Sequence, residues 1–250
     1  MKLARDIGLL FQRQFVQLLR NPVWLVVGLS TPVLYLALFT PLLKSVAHLP
    51  ADAVLALFLP GILSLLAFSS GVSAGFSTIF ELQAGVIERL RVTPASRFAI
   101  LTGPILANVA LMFVFDAVLV AVGAAFGFPV HWGGLLLLAI MLGLLMIVTS
   151  AFSVATALIT KEISGFAAIV NGINLPILLL AGVLLPISIG PAWMRVLAHF
   201  NPLYYLVSAS RVLAAGTLTG TAVWEGALVL IGLCAVVLSW ATSVVRRAVS

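Results

Sequence analysis

Seven acids, three histidines and one cysteine are all the ordinary acid–base and nucleophilic chemistry this 250-residue chain carries. His48, His131 and His199 stand far apart, and a metal site would need them to converge with carboxylates placed mostly elsewhere. Cys234 lies in an apolar run, which excludes a disulfide framework and a cysteine-based metal centre. Gly71-Val-Ser73-Ala-Gly75 matches the G-x-S-x-G pattern of hydrolases, but that pattern works on a strand-turn-helix elbow and here falls within a long apolar segment. The same residues spell G-x-x-x-G, which lets two helix backbones approach closely. No G-x-x-x-x-G-K-[ST] loop occurs, so the chain cannot cradle ATP in that way. Neither a catalytic nor a metal-binding set emerges, and the reading is of a non-enzymatic chain without a cofactor of its own.

Charge is scarce, at 8% of residues, and it is concentrated. The 17 residues from Glu81 to Arg97 hold Glu81, Glu88, Arg89, Arg91 and Arg97. At about 100° per residue, Leu82, Val86, Ile87 and Leu90 share one arc of a helix, and Glu81, Gly85, Glu88, Arg89 and Arg91 share the other. That pattern predicts an amphipathic helix over 80–97, lying at a membrane surface with its charged face turned to a soluble partner.

The elements that position this segment follow from composition. Hydrophobic residues make up 63% of the chain and mean hydropathy is +1.26, against roughly 45–50% apolar in soluble domains. Lipid is therefore the solvent, and the long non-alternating apolar runs select helices over a barrel. Six spans are predicted: Val23–Leu43, Val54–Ile79, Phe98–Phe126, Gly133–Ile159, Phe166–Ile189 and Ala227–Val245. Before them, Ile7, Phe11, Phe15 and Leu18 line one helical face opposite Asp6, Arg13, Gln17 and Arg20, which predicts an interfacial helix over 1–21 rather than a signal peptide. With the N-terminus inside, ten cations fall on the cytoplasmic side and three, Lys44, Arg195 and Arg211, on the outer side. Both termini and the charged segment are thus expected in the cytoplasm of a multi-pass cell-membrane protein. The net charge of +6 sits beside the membrane and calls for no nucleic acid.

Polar residues inside the spans have two readings each. Asp116 in the third span is either a point on a substrate route or proton relay, or an acid that pins helix packing. Thr149, Ser153, Thr156 and Thr160 recur at helical spacing in the fourth span, and Asn171 and Asn174 stand beside Pro176 in the fifth. These could line a pathway, and close packing explains them equally well. Between the fifth and sixth spans, prolines and glycines interrupt residues 186–216, yet Trp193–Phe200 and Leu203–Ala215 stay apolar and helix-compatible. Two short re-entrant outer helices fit this region, packed against protein as non-spanning backbone must be. The whole is an all-α membrane protein with 1–250 as a single domain.

The chain resembles the membrane permeases of type-2 ABC exporters, especially the daunorubicin/doxorubicin kind. The residues that carry the resemblance run from Glu81 to Arg97, with Gly85, Glu88-Arg89-Leu90, Thr93-Pro94 and Ser96-Arg97 in the family's order, and recur in Asn201-Pro202-Leu203-Tyr204-Tyr205. The resemblance implies that 80–97 is a coupling helix seated in a groove of a separate cytoplasmic ATPase, with Glu88, Arg89 and Arg91 touching that subunit. Lys161 and Glu162 would be a second contact. Two permeases, identical or similar, would join two ATPases, which hold ATP and magnesium. Leu82-Gln83 departs from relatives that are more often charged there. A mostly aliphatic wall with scattered hydroxyls suits a drug, a lipid or a lipid-linked product. The alternatives are an ion-coupled secondary transporter or channel using Asp116, which predicts no ATPase partner, and an intramembrane enzyme, which needs a nucleophile–base cluster.

Overall fold

Helices that are apolar on all sides have no face for water, so their order in space is set by which of them bury each other and which meet lipid. The computed structural model describes residues 2–20, 22–47, 51–85, 97–183, 187 and 190–249. Among them are nine helices: α1 (Lys2–Leu19), α2 (Pro22–Ala47), α3 (Ala51–Gln83), α4 (Arg97–Ala125), α5 (Trp132–Thr160), α6 (Ile163–Leu180), α7 (Ala192–Ala198), α8 (Pro202–Ala214) and α9 (Thr221–Val249). Six of them, α2 to α6 and α9, are long and apolar enough to cross a membrane.

The parallel pair α3 and α5 forms the centre, with α4 and α8 completing the core around Phe58, Ile62, Met112, Leu119, Leu138, Leu142 and Leu206. In contrast, α2, α6 and α9 turn residues such as Leu38, Leu175 and Leu228 outward. α1 lies across α4, where a Cβ on Gly103 would come within 2.7 Å of Leu10. Its half-buried face holds Ile7, Phe11, Phe15 and Leu18, with Phe11 and Phe15 stacked at 5.5 Å, while Arg13, Gln17 and Arg20 are exposed.

Two helix ends differ from the sequence reading. The fifth span stops at Leu180 instead of Ile189, because Gly182 adopts a left-handed φ of 70°. The N-cap of α8 and a side chain within it then take carbonyls at and just past this helix end: Asn201 donates to Ile177 O at 2.7 Å, and Arg211 to Gly182 O at 2.6 Å and Val183 O at 3.2 Å. Apolarity continues past the helix end, so hydropathy could not mark it. The second difference concerns the charged segment. Glu81 and Leu82 belong to the last turn of α3, and Gly85, with φ 65°, ends that helix, so 80–97 is not one continuous helix. Residues 86–96, including Glu88, Arg89 and Arg91, lie outside the described residues.

Residues 186–216 supply two short helices, as the interrupted apolar pattern predicts. α7 exposes Trp193 and Val196, and the turn after it exposes Phe200, whereas α8 is buried along Leu203, Leu206, Val207 and Ser210. Asn201 explains the Asn-Pro motif: its side chain accepts the Leu203 N–H at 3.0 Å as N-cap, and Pro202 takes the first helical position, where no N–H is needed.

Candidate functional site: a hydroxyl-lined groove

α2 and α4 both pack on α3 but scarcely touch each other, and the gap between them is a groove of about 720 Å³. It reaches from Leu18 and Phe80, at the end of the bundle where α1 lies, to Tyr35 and Ile62 halfway along the spans. Its walls are mainly Leu, Ile, Met and Phe, including Leu25, Leu66, Met112 and Phe115. The groove is narrowed where Gly28 of α2 meets Phe115 of α4, since a Cβ on Gly28 would stand 2.9 Å from that ring.

Polarity is confined to hydroxyls and one amide. Ser69, Ser73 and Ser77 recur every fourth residue of α3 and so share one face, joined by Ser70, Thr31, Tyr35 and the half-buried Asn108 of α4. Ser69 Oγ donates to Leu65 O at 2.8 Å and Ser73 Oγ to Ser70 O at 2.7 Å, so each hydroxyl proton is bonded to its own helix. None of the described residues lining the groove is charged.

The opposite face of α3 explains the glycines. Gly71 and Gly75 are buried against α5, and a Cβ on Gly71 would collide with Thr149 Oγ1. A Cβ on Gly75 would collide with Ser153 Oγ and the Phe166 ring. The Gly75 N–H donates to Ser153 Oγ at 3.0 Å, and Ser153 Oγ donates to Val72 O. Thr149 Oγ1 donates back to Leu145 O at 3.0 Å. The G-x-x-x-G reading thus has its geometry, with Ser73 turned away from that interface and into the groove.

The remaining sequence candidates are scattered. Asp116 is buried, and neither carboxylate oxygen has a hydrogen-bond partner. Asn171 is exposed on α6, while Asn174 is half-buried with Oδ1 unpaired. None of Asp116, Thr149, Ser153, Asn171 and Asn174 lines the groove. Lys161 and Glu162 are exposed at the same end of the bundle as Gly85, Lys161 with a left-handed φ of 54° and its N–H donating to Ala157 O at 2.9 Å. Glu81 is half-buried, with Arg13 of α1 as its opposing charge. Among the described residues, no three His, Cys, Asp or Glu side chains gather as a metal site would require. The groove itself was missed by the sequence reading. Its signal in the sequence is the Ser69-Ser73-Ser77 spacing along one face of α3.

Residues 5–214 match the ABC-2 type transporter family. A chain named as a transport permease, ycf38, from Cyanophora paradoxa is 30% identical over 84% of this chain and 74% of its own length. Its counterpart from Porphyra purpurea is 25% identical over 86% and 76%. The daunorubicin resistance ABC transporter permease protein DrrB1 of Streptomyces coeruleorubidus is 28% identical over 84% and 74%. With a multi-pass helical bundle and a family match over most of its length, this chain belongs to the ABC-2 type transporters, as a membrane permease.

Proposed function

We propose that this permease is the non-catalytic membrane subunit of an ATP-driven exporter and moves a hydrophobic or amphiphilic molecule outward: a drug, a lipid or a lipid-linked product. The observation that carries this reading is the groove between α2, α3 and α4, apolar enough for a tail and open at the end where α1 lies. ATP and magnesium are held by a separate cytoplasmic ATPase, since this sequence has no phosphate loop of the usual form. Glu81, Gly85, Glu88, Arg89 and Arg91 form the contact with that subunit, and Lys161 and Glu162 stand at the same end of the bundle as a second one. The concentration of cations at that end supports placing both termini and this contact in the cytoplasm, with the permease in the cell membrane. A second permease copy, or a similar chain, covers the outward-facing spans, and two ATPases complete the assembly. ATP binds the closed ATPase pair more tightly than the open one, and this difference biases the permease between two arrangements.

Co-expression with the ABC ATPase subunits of the source organism tests this reading. The pair is expected to purify together and to hydrolyse ATP faster in vesicles than the ATPase alone. If no ATPase associates, the exporter reading fails. The unpartnered Asp116 carboxylate then favours ion-coupled transport, which Asp116→Asn would abolish.

A further inference from the structure

The chemistry of the groove wall narrows the kind of headgroup it can accept. A serine in a spanning helix satisfies its proton on the carbonyl three or four residues back, and here Ser69 and Ser73 do so at 2.8 and 2.7 Å. Such a hydroxyl has spent its donor and keeps lone pairs for accepting. Both residues are exposed on the groove wall, where those lone pairs face the space between α2 and α4. Asn108 of α4 adds a side-chain amide, which offers an acceptor as well as donors. No Asp or Glu among the described lining residues can neutralise a cation, and no Lys or Arg can neutralise an anion. A charged headgroup would enter unpaired, whereas a headgroup without donors would leave the wall's acceptors facing nothing.

Resting on the export reading above, we infer that the groove takes a neutral amphiphile whose headgroup carries hydrogen-bond donors, such as free hydroxyls, in preference to an organic cation or an ether. The apolar walls of Leu25, Leu66, Met112 and Phe115 take the tail, and the Ser69-Ser73-Ser77 ladder reads the headgroup. The volume of about 720 Å³ lies within the ordinary range for small-molecule sites, roughly 300–1,000 Å³.

Photolabelling of the full permease in phosphatidylcholine nanodiscs tests the inference. The probes are three diazirine-tagged lipids of one acyl chain: a monoacylglycerol, its di-O-methyl ether and the choline ester. The monoacylglycerol is expected to label α2, α3 and α4 about tenfold more than either of the others. Replacing Ser69, Ser73 and Ser77 together by Ala should reduce its labelling to the level of the ether, while labelling by the ether itself stays unchanged. The single variant Ser73→Ala, which removes one back-bonded hydroxyl, should give an intermediate loss and guards against misfolding of the triple variant. Equal labelling by all three probes would overturn the headgroup preference. Absence of labelling by any of them would overturn the groove as a lipid site. In either case ATPase association remains a separate readout of the export reading.

Discussion

Ser153 occupies the notch left by Gly75: the glycine N–H donates to its Oγ at 3.0 Å across the centre of the bundle. One turn away, Gly71 leaves the same kind of notch for Thr149. The two pairs bring α3 and α5 close enough to form a rigid spine, with the groove on one side of α3 and the spine on the other. Adding a Cβ at Gly75 forces the helices apart. Gly75→Ala is expected to lower stability by about 1–3 kcal/mol, the usual range for an overpacked core. Ser153→Ala, which removes two interhelical hydrogen bonds, to Gly75 N–H and Val72 O, should cost about 0.6 kcal/mol for each. Thermal denaturation of the detergent-solubilised protein reads both, and equal small effects would contradict the spine.

Asn201 ends two helices at once, accepting from Leu203 N–H at 3.0 Å and donating to Ile177 O at 2.7 Å. Asn201→Asp keeps the acceptor and loses the amide donor, whereas Asn201→Ala loses both. The alanine variant is expected to lose about 1–2 kcal/mol through the cap alone, with the aspartate variant retaining that part. Hydrogen exchange should show the end of α6 opening in both variants and the start of α8 opening in the alanine variant only.

Arg211 holds the same helix end from nearly three turns further along α8. Its guanidinium donates to Gly182 O at 2.6 Å, Val183 O at 3.2 Å and, through Nε, Leu57 O at 3.0 Å. Burial lowers its pKa to about 10, so it keeps its charge at neutral pH. Arg211→Met fills the space but leaves these carbonyls without their donor. A loss of about 2–4 kcal/mol is expected, each buried acceptor left unpaired costing about 1–3 kcal/mol. Arg211→Lys should recover part of it, measured by the same denaturation assay.

Gly28 sets the width of the groove against Phe115, where a Cβ would stand only 2.9 Å from the ring, inside van der Waals contact. Gly28→Leu is expected to reduce transport of an amphiphilic substrate at least tenfold in vesicles while leaving ATPase association intact. Restored transport in Gly28→Leu combined with Phe115→Ala would place the block in the groove itself.

The spans were legible because lipid demands long apolar runs, and hydropathy alone finds these. The end of α6 was not, since Leu178 to Pro186 stays almost wholly apolar and the stop depends on Gly182 and on donors from α8. Thr149 and Ser153 were visible as a stripe, but their role depends on what faces them, and Gly75 stands 78 residues from Ser153 in the chain. The Asn201-Pro202 pair stands in the sequence only as part of the family resemblance; its capping of α8 and its bond to Ile177 O depend on the fold. The groove was the least legible feature, because it exists only where α2 and α4 part over α3. Within the charged segment, helical periodicity puts Gly85 on the polar face, whereas its left-handed φ makes it the end of α3.

In the exporter proposed above, the permease couples to a separate ATPase through the charged segment that holds Glu88 and Arg89. The most direct measurement is ATP hydrolysis by that ATPase reconstituted with the permease, comparing the natural sequence with the double reversal Glu88→Lys/Arg89→Glu. The natural permease is expected to stimulate turnover, and the reversal to remove the stimulation while leaving the permease folded and inserted. Unchanged turnover in the double reversal would contradict this coupling.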